Sequence, residues 1–395
     1  MAWPVLLLAR ELDLGGSERQ MTEIAKTLDR SRFDPHVGCF RPQGIRTAEL
    51  AATGVPIVHF PVDSFASFRA LAEACRLASY IRRHGIRLVH AFDYPLTLFA
   101  VPVARWATSA VVASSQRSHR SLIPRKYRPL VRMTDHIANA VVVNCEFVRQ
   151  HLRNNEGVPC ERIRLCYNGV DLREFQPREE FQPREAPRDS LTIGVVCALR
   201  PEKDLGTLID AFARVRRSGL KLLIVGSGSM LGELRLQAAT SGISGDCTFV
   251  PATGKVAEWF QTIDIFVLPS RSEALSNSLL EAMACGCCPV ASRVGGSPEL
   301  IRHGENGMLF EAGDVEQLSD VLQTLVELRI LREQLAARAR CTAQQFSISA
   351  SARRMGEIYA KLIEESLCEK PKTASSRSRL TVADEQNQSD TEPRP

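Results

Sequence analysis

Two basic side chains in the second half of the chain have the spacing of an anion-binding pair. Arg200 and Lys203 stand three residues apart, directly after an apolar run that ends at Leu199. Two cations at the carboxyl end of a strand and beside a helix start can both reach one diphosphate. A solvent-exposed salt bridge with Glu202 would explain the same residues equally well. These residues alone therefore leave a diphosphate site and an ordinary loop as equal alternatives.

The strongest chemical motif is residues 269–286, PSRSEALSNSLLEAMACG. A strand is predicted to end where the motif begins, Glu273 lies in the following loop, and a helix is predicted to start near Ser276 or Asn277. The first turn of that helix would expose unpaired N–H groups to an anion such as a phosphate. Glu281, one turn inside the helix, would accept hydrogen bonds from neutral hydroxyls such as those of a ribose. Glu273 is expected to face another hydroxyl-rich part of the same ligand.

Two glycine-containing turns add weaker signals. The first apolar run is followed by Gly15-Gly16-Ser17-Glu18, in which Gly16 lets the backbone approach a ligand and Ser17 is expected to cap a helix. Gly226 follows another predicted strand, and it indicates either close approach of a ligand or only a tight turn. The sequence has no third glycine after Gly16 at the spacing of a dinucleotide fingerprint, which disfavours a nicotinamide-dependent dehydrogenase.

Alternating strands and helices must position these residues. Short β-branched runs alternate with amphipathic helical segments, a pattern typical of βα units that wind parallel sheets. The predicted strands of the first half are Pro4–Leu8, His36–Phe40, Pro56–Phe60, Arg87–Ala91, Ala110–Ser114, Ala140–Asn144 and Ile163–Tyr167. Those of the second half are Leu191–Cys197, Leu220–Val225, Thr248–Val250, Asp264–Leu268 and Pro289–Ala291. The predicted fold class is α/β, with two Rossmann-like domains whose parallel sheets face one cleft.

Composition suggests where the domains end. An N-terminal domain is predicted over residues 1–172, and a C-terminal domain over 191–346. The linker at 173–190 is rich in proline and charge and holds a tandem EFQPRE at 174–179 and 180–185. Residues 347–368 are predicted to form a C-terminal helix that could pack back on the N-terminal domain. Residues 369–395 are poor in apolar side chains and are predicted to be a disordered tail.

Charge is unevenly distributed along the 395 residues. The net charge of +5 divides into +9 for residues 1–170 and −4 for the remainder. A basic segment, residues 117–132, contains six cations and no acidic residue, interleaved with apolar side chains. It is predicted to contact an anionic membrane surface or a lipid-linked diphosphate, with a solvated basic helix as the alternative. No nucleic-acid partner is expected.

The cysteines and apolar runs bear on location. The twelve cysteines occur mostly singly inside apolar runs, which favours reduced core thiols, and the Cys285–Cys288 cluster is interpreted as buried thiols rather than a metal site. The opening apolar run lacks the flanks of a signal peptide, and no transmembrane helix is predicted. The predicted location is cytoplasmic, with the inner face of a membrane as an option.

Taken together, these motifs carry a family resemblance. Residues 1–367 resemble the large retaining glycosyltransferase family numbered four, which has the GT-B fold of two facing Rossmann-like domains and uses nucleotide-sugar donors. The resemblance rests on the order and spacing of several motifs: Gly15–Glu18, Asn168-Gly169-Val170-Asp171, Arg200–Lys203, Glu273 with Glu281, Val294–Leu300 and Asn306-Gly307.

This resemblance implies a function and residue roles. The function would be retaining transfer of a hexose-type sugar to an acceptor hydroxyl, in synthesis of a glycan, a lipid-linked saccharide or an exopolysaccharide. Arg200 and Lys203 would bind the donor diphosphate and act in catalysis. Glu281 would bind the ribose, and Glu273 the transferred sugar or its phosphate. The distal phosphate would meet the backbone of Gly16, Asn277, Ser278 and Leu279, and Gly226 is a further candidate for donor contact.

The chain departs from the family pattern at two positions. Many relatives carry a histidine-x-histidine after the fourth strand, whereas here His90 is followed by Ala91 and Phe92. Many also place a histidine against the donor sugar soon after the fifth strand, where this chain offers Arg117 or His119. His119 is carried forward as a candidate catalytic residue, and the choice between it and Arg117 stays open.

The family's mechanism is front-face attack, in which the leaving diphosphate helps to deprotonate the acceptor and no covalent nucleophile is needed. Because no two aspartates in the chain stand two apart, the metal-binding motif of the other major glycosyltransferase fold is absent. We therefore expect no metal ion or other cofactor, with cations in the metal's place. A nucleotide-sugar epimerase of the same fold and a non-catalytic nucleotide-sugar-binding module remain alternatives. Donor turnover without an acceptor would favour the epimerase.

Overall fold

A computed structural model of the protein describes residues 2–177 and 190–368. Most of the predicted linker at 173–190, including residues 178–185 of the EFQPRE duplication, lies outside these residues. The predicted tail at 369–395 also lies outside them. We call residues 2–172 the N-terminal lobe and residues 190–346 the C-terminal lobe.

Each lobe is built on one parallel sheet. The N-terminal sheet has the strand order β3-β2-β1-β4-β5-β6-β7, and the C-terminal sheet has the order β10-β9-β8-β11-β12-β13. The strands are β1 (Trp3–Glu11), β2 (Phe33–Arg41), β3 (Ile57–His59), β4 (Leu88–Ala91), β5 (Val111–Gln116), β6 (Ala140–Val143), β7 (Ile163–Leu165), β8 (Leu191–Val196), β9 (Leu220–Val225), β10 (Cys247–Val250), β11 (Ile265–Leu268), β12 (Cys288–Ser292) and β13 (Met308–Phe310). The predicted fold class is confirmed, as are all twelve predicted strands, whereas the three-residue β13 was not predicted.

Helices cover the sheets on both faces. They are α1 (Gly16–Thr27), α2 (Ile45–Ala52), α3 (Phe68–Arg83), α4 (Tyr94–Ala107), α5 (Arg128–Ile137), α6 (Glu146–Asn155), α7 (Leu205–Val215), α8 (Leu231–Thr240), α9 (Val256–Phe260), α10 (Asn277–Ala284), α11 (Ser297–Leu300), α12 (Val315–Glu327), α13 (Arg329–Gln344) and α14 (Ile348–Cys368). Strands buried on both faces read as continuous apolar runs, as β1 does from Val5 to Ala9. Within the described residues, no helix is long and apolar enough to cross a membrane.

The strand order determines where a ligand can bind. In each sheet the order reverses beside its first strand, between β1 and β4 in one lobe and between β8 and β11 in the other. Loops at such a switch point diverge and leave a crevice at the carboxyl ends of the strands. The turn with Gly16 follows β1, Arg200 and Lys203 follow β8, and Glu273 follows β11. The topology therefore brings the predicted site residues to the crevices of both sheets.

The C-terminal helix α14 packs on the N-terminal lobe, although it follows the second sheet in the chain. Its buried side chains, among them Met355, Ile358 and Tyr359, join the apolar cluster formed by β1, β2 and α1. The hydroxyl of Tyr359 lies 2.6 Å from Nδ1 of His90. Because α13 packs on the C-terminal lobe and α14 lies on the N-terminal lobe from Ile348 onward, the chain passes between the lobes a second time just before α14.

Candidate functional site

One cavity of about 710 Å³ lies between the two lobes. This volume falls within the range typical of small-molecule sites. It is lined by residues from both sheets, including most of the residues predicted from the sequence: Gly16, Arg200, Lys203, Gly226, Glu273, Asn277, Ser278 and Glu281. Leu279 and His119 are not part of the lining.

The cations after β8 occupy a short turn that opens into this cavity. Lys203 is the last residue of a 3-10 turn, and its Nζ lies 2.5 Å from Oε2 of Glu273. Burial disfavours the charged lysine, but the charge of Glu273 and its hydrogen bond outweigh that effect, so the pKa of Lys203 is raised. Arg200 has a side chain that is 66% exposed, and its nearest carboxylate, Glu202, is 4.0 Å away. Lys203 is thus already paired, whereas Arg200 is available to an anionic ligand.

An aspartate that sequence reasoning missed holds this turn in place. Asp204 is the only non-glycine residue among the described ones with a left-handed backbone, at φ 48°. Its carboxylate accepts a hydrogen bond from Thr207 and lies 2.9 Å from Nε of Arg271. Arg271 belongs to the loop of Glu273, and its amide donates to the carbonyl of Glu202. The loops after β8 and β11 are therefore joined by contacts besides the Lys203 pair.

The helix α10 presents its amino end to the cavity. Ser276 is its N-cap, and the Ser276 hydroxyl accepts the Leu279 amide at 3.3 Å. The prediction that the Leu279 amide binds phosphate is therefore not supported, because this amide is already capped and the residue is fully buried. Among the described residues, the amides of Asn277 and Ser278 have no protein acceptor, as expected for the first turn of a helix.

Glu281 lies deeper in the cavity and is paired across the lobes. Its Oε1 lies 2.9 Å from Nη1 of Arg19, and the Glu281 side chain is 8% exposed. Burial raises the pKa of Glu281, and the Arg19 charge offsets part of that effect. Arg19 also contacts Glu174 at 3.2 Å and lies 4.7 Å from the ring centre of Phe175. Sequence reasoning missed Arg19, although it directly follows the Gly-Gly-Ser-Glu turn.

Amide side chains join the lobes beside α10. Nδ2 of Asn277 donates to the carbonyl of Gly16 at 3.1 Å. Oδ1 of Asn277 accepts from Asn168 at 2.6 Å and from Gln20 at 3.2 Å. Asn168 comes from a motif that carried the family resemblance, and the structure shows that it bridges to the C-terminal lobe.

The two glycine turns differ from expectation in their details. The helix α1 begins at Gly16 with Gly15 as its N-cap, so Ser17 is inside the helix and the capping prediction for Ser17 is wrong. Gly226 has φ +151°, and a Cβ there would lie 1.9 Å from the carbonyl oxygen of Cys197. The close approach of β8 therefore requires glycine at position 226, whatever ligand the cavity holds.

Arg117 and His119 were the two candidates for contact with the donor sugar, and the structure places only Arg117 in the cavity wall of the N-terminal lobe. Arg117 lines the cavity, donates to Oδ1 of Asn168 and lies 5.5 Å from the ring centre of Phe92. Burial lowers the pKa of Arg117 to about 10. His119 instead packs against His151 with the rings tilted and 4.8 Å between ring centres, and it lies outside the cavity lining. This position gives the catalytic prediction for His119 no support.

The basic segment at 117–132 is less free than its sequence suggests. Four of its six cations make contacts within the protein: Arg117 with Asn168, Arg120 with Asp135 and Glu156, Arg128 with the carbonyl of Ile123, and Arg132 with Glu156. Arg125 and Lys126 are exposed and make no ion pair among the described residues, and Arg132 is exposed although it pairs with Glu156. The sequence analysis treated all six cations as available to an anionic partner. The structure corrects that expectation, because carboxylates pair with Arg120 and Arg132 and neutral oxygen atoms accept hydrogen bonds from Arg117 and Arg128.

The cysteine cluster proves to be part of the core. Cys285, Cys287 and Cys288 are all buried and free. Across residues 2–177 and 190–368, no group of three or more His, Cys, Asp or Glu side chains is arranged to hold a metal ion. The interpretation of the cluster as buried thiols is confirmed.

Comparison with known proteins identifies the class. The model of "Glycosyltransferase Family 4" matches residues 14–174, and that of "Glycosyl transferases group 1" matches residues 177–342. The fold is GT-B, since Anabaena Alr3699/HepE in complex with UDP and glucose superposes with a TM-score of 0.80, at 22% identity, over 90% of this chain and 99% of its own. Sucrose-phosphate synthase from Thermosynechococcus elongatus superposes with a TM-score of 0.78, at 20% identity, over 92% of this chain and 100% of its own.

The chain belongs to glycosyltransferase family 4. It is 31% identical over 240 residues to the D-inositol 3-phosphate glycosyltransferase of Jonesia denitrificans, an alignment that covers 56% of this chain and 57% of that protein. It is 29% identical over 270 residues to the GDP-mannose-dependent alpha-(1-6)-phosphatidylinositol monomannoside mannosyltransferase of Mycobacterium tuberculosis, covering 64% of this chain and 69% of that protein. The alignment thus spans only part of each of these relatives.

Proposed function

We propose that this protein is a retaining glycosyltransferase that moves a hexose-type sugar from a nucleotide-sugar donor to an acceptor hydroxyl. The observation that carries the proposal is the convergence of two cations, two carboxylates and the α10 amino end on one interlobe cavity. A nucleotide sugar presents two phosphates and two sets of hydroxyls. The charges and hydrogen-bonding groups of the cavity complement both kinds of group.

The donor's phosphates would lie against the cations and α10. Arg200 would bind the diphosphate, because its guanidinium is exposed and faces no close carboxylate. Lys203 would add charge while it stays paired to Glu273. The amides of Asn277 and Ser278 lie at the start of α10 and would donate hydrogen bonds to a phosphate. The helix dipole stabilises an anion at the same place.

The donor's hydroxyls would lie against the carboxylates. Glu281 would bind the ribose, and Glu273, held by Lys203, would bind the transferred sugar. Arg117 is the better candidate than His119 for contact with that sugar from the opposite wall, because it lines the cavity. The backbone of Gly16 would approach the diphosphate from the N-terminal lobe.

Front-face transfer fits these partners. In a retaining glycosidase one carboxylate attacks the sugar as a nucleophile. Here Glu273 lies 2.5 Å from Lys203 and Glu281 lies 2.9 Å from Arg19, and pairing with a cation makes each carboxylate a weaker nucleophile. Charge that develops on the leaving diphosphate would be stabilised by Arg200, Lys203 and the helix amides, without a metal ion or other cofactor.

The proposal extends to the acceptor and to a contact of the N-terminal lobe with a membrane. The relatives named above act on an inositol phosphate and a phosphatidylinositol mannoside, which supports an acceptor that is itself anionic or lipid-linked. In the N-terminal lobe, Phe68 is 94% exposed and Leu71 is 65% exposed on α3. The Phe65 and Tyr127 rings, 6.4 Å apart, connect this region to exposed Lys126. Exposed apolar groups next to basic ones are typical of a surface that contacts anionic lipid.

A vesicle assay tests this contact. Neutralising Arg125 and Lys126 together should cost ~2 kcal/mol of binding to anionic vesicles, at ~1 kcal/mol per basic residue near the surface. Arg302→Gln combined with Arg329→Gln, which removes two exposed cations from the C-terminal lobe, is the charge-matched control. If the wild-type protein does not bind such vesicles at low salt, the membrane proposal fails and a water-soluble acceptor is favoured. A cytoplasmic location is proposed because the twelve cysteines are free thiols.

A donor screen tests the main proposal. UDP-, GDP- and ADP-sugars are compared by thermal unfolding, because a ligand that binds only the folded state adds about 2.7 kcal/mol of stability at 100 times its Kd. One nucleotide class should raise Tm, and Glu281→Ala should reduce that rise. Transfer is then followed with the stabilising donor and candidate acceptors. Donor turnover without acceptor would indicate the epimerase, and absence of any Tm shift would refute a nucleotide-sugar site.

A further inference from the structure

A carboxylate outside the cavity connects the two lobes. Glu299 belongs to the Val294–Leu300 motif, which carried the family resemblance without an assigned role. Its Oε2 accepts the amide of Glu146 at 2.8 Å, and its Oε1 accepts the amide of Phe147 at 2.9 Å. The hydroxyl of Tyr167 donates to the same carboxylate at 3.0 Å. Three donors from the N-terminal lobe therefore converge on one side chain of the C-terminal lobe.

The helix that receives this carboxylate lacks a cap of its own. Cys145 is the N-cap of α6 and makes no side-chain hydrogen bond there, so the first amides of the helix have no partner within it. Glu299 supplies the missing acceptor, and its negative charge also suits the positive end of the helix dipole. Burial and the Glu299 charge raise the pKa of Tyr167, which keeps its hydroxyl protonated as a donor. Glu299 thus caps the first two amides of α6 from the opposite lobe.

The other end of the same motif touches the loop of Glu273. The amide of Gly296 donates to the carbonyl of Ala274 at 2.7 Å. A Cβ at Gly295 would lie 2.0 Å from the carbonyl oxygen of Glu273, and one at Gly296 would lie 3.1 Å from Cβ of Cys145. Gly295 and Gly296 therefore let the backbone of this motif lie directly against the Glu273 loop and against Cys145. A shift of the Glu273 loop would move the motif that carries Glu299 to α6.

The surroundings make this contact a fixed point between the lobes. One apolar cluster runs without interruption from Val143 and Val148 in the N-terminal lobe to Leu275 and Leu300 in the C-terminal lobe. Glu299 lies at this apolar interface rather than in the cavity, whose lining does not include it. Any role of Glu299 in the reaction must therefore act through other residues.

We propose that Glu299 is a positioning residue, which fixes the N-terminal lobe at α6 and thereby aligns the Glu273 loop with the acceptor wall. The proposal rests on the proposed function, because it assumes that Glu273 meets the transferred sugar. Alignment of reacting groups is sensitive to displacements of about 1 Å, which can cost about 100-fold in rate. Donor affinity is less sensitive, since most of the donor contacts proposed above lie within the C-terminal lobe.

The test compares Glu299→Ala and Glu299→Gln with Glu311→Ala. Glu311 is a matched control, because it is a glutamate of the same lobe in an exposed ion pair with Arg293. Glu299→Ala should lower kcat by about 10- to 100-fold while the Kd for the nucleoside diphosphate changes less than about threefold. Glu299→Gln keeps one oxygen acceptor and should recover part of the rate. Small-angle scattering should report a larger radius of gyration for Glu299→Ala than for the wild type.

Each outcome decides the proposal. It is overturned if Glu299→Ala keeps the wild-type kcat and radius of gyration. A parallel loss of kcat, donor affinity and Tm, without recovery in Glu299→Gln, would assign Glu299 a merely structural role and also overturn it. If the wild-type protein binds no nucleotide sugar, the proposed function is refuted independently of Glu299. The scattering comparison needs no substrate, so it still decides whether Glu299 holds the lobes together.

Discussion

Removing the carboxylate of Glu281 tests the proposed ribose contact. Glu281→Ala removes a charged hydrogen-bond acceptor, a loss worth ~1.5–3 kcal/mol. This corresponds to a roughly 10- to 150-fold increase in the Kd of the nucleoside diphosphate. The substitution should be tolerated by the fold, because Arg19 keeps Glu174 at 3.2 Å and the ring of Phe175 at 4.7 Å after it loses Glu281. A change in Tm of a few degrees is therefore expected rather than unfolding.

Titration calorimetry with two nucleotides separates the ribose contact from a general loss of the site. The wild type and Glu281→Ala are each titrated with a nucleoside diphosphate and with its 2′,3′-dideoxy form. If Glu281 binds the ribose hydroxyls, the two changes share one interaction and their free-energy losses will not add. The dideoxy nucleotide should therefore bind both proteins almost equally. An equal loss for both nucleotides, or no loss for either, would refute the ribose assignment.

Four further predictions concern charge, metal ions and pH. Arg200→Ala should lower kcat without changing Tm, because its side chain is 66% exposed. Lys203→Ala should lower both, because it leaves Glu273 without its cation at a cost of ~3 kcal/mol; kinetics and thermal unfolding check this, and an unchanged Tm would count against it. Transfer should survive a chelator, and activity lost on chelation but restored by a divalent cation would contradict this. Burial raises the pKa of Asp93 to about 7. Asp93 thus binds its proton more tightly in the folded protein than in the unfolded chain. Its contribution to the free energy of unfolding is complete below about pH 4 and is lost as the pH rises through 7. The Tm of the wild type should fall more between pH 5 and 8 than that of Asp93→Asn, and parallel curves would exclude Asp93 as the cause.

The fold was predictable because its signals are local. A buried parallel strand must be apolar along its whole length, so each βα unit can be recognised from a stretch of about 30 residues. The strand β13 escaped prediction because Met308–Phe310 is too short to show a period. The strand order depends on contacts between residues far apart in the chain. Periodicity carries no information about such contacts.

The site was predictable in its residues but not in their partners. The spacing of Glu273 and Glu281 indicated a loop and a helix start, and both line the cavity. Arg19, however, is 262 positions from Glu281, and nothing in the sequence of either segment indicates their pairing. The basic segment shows the same limit, since Asp135 and Glu156 neutralise cations that looked free in the sequence. Local sequence specifies which groups are present, whereas the tertiary fold determines which charges remain unpaired.

The two carboxylates proposed for donor binding share a design that explains how they tolerate burial. An unpaired carboxylate in this cavity would be costly, and each one is matched by a single cation from a different element. An ionised carboxylate has about four acceptor positions, so one cation leaves the others available to hydroxyls. Arg19 contacts only Oε1 of Glu281. Arg19 would therefore hold Glu281 charged and oriented while Oε2 meets the ribose, and the ribose contact itself lies within the C-terminal lobe.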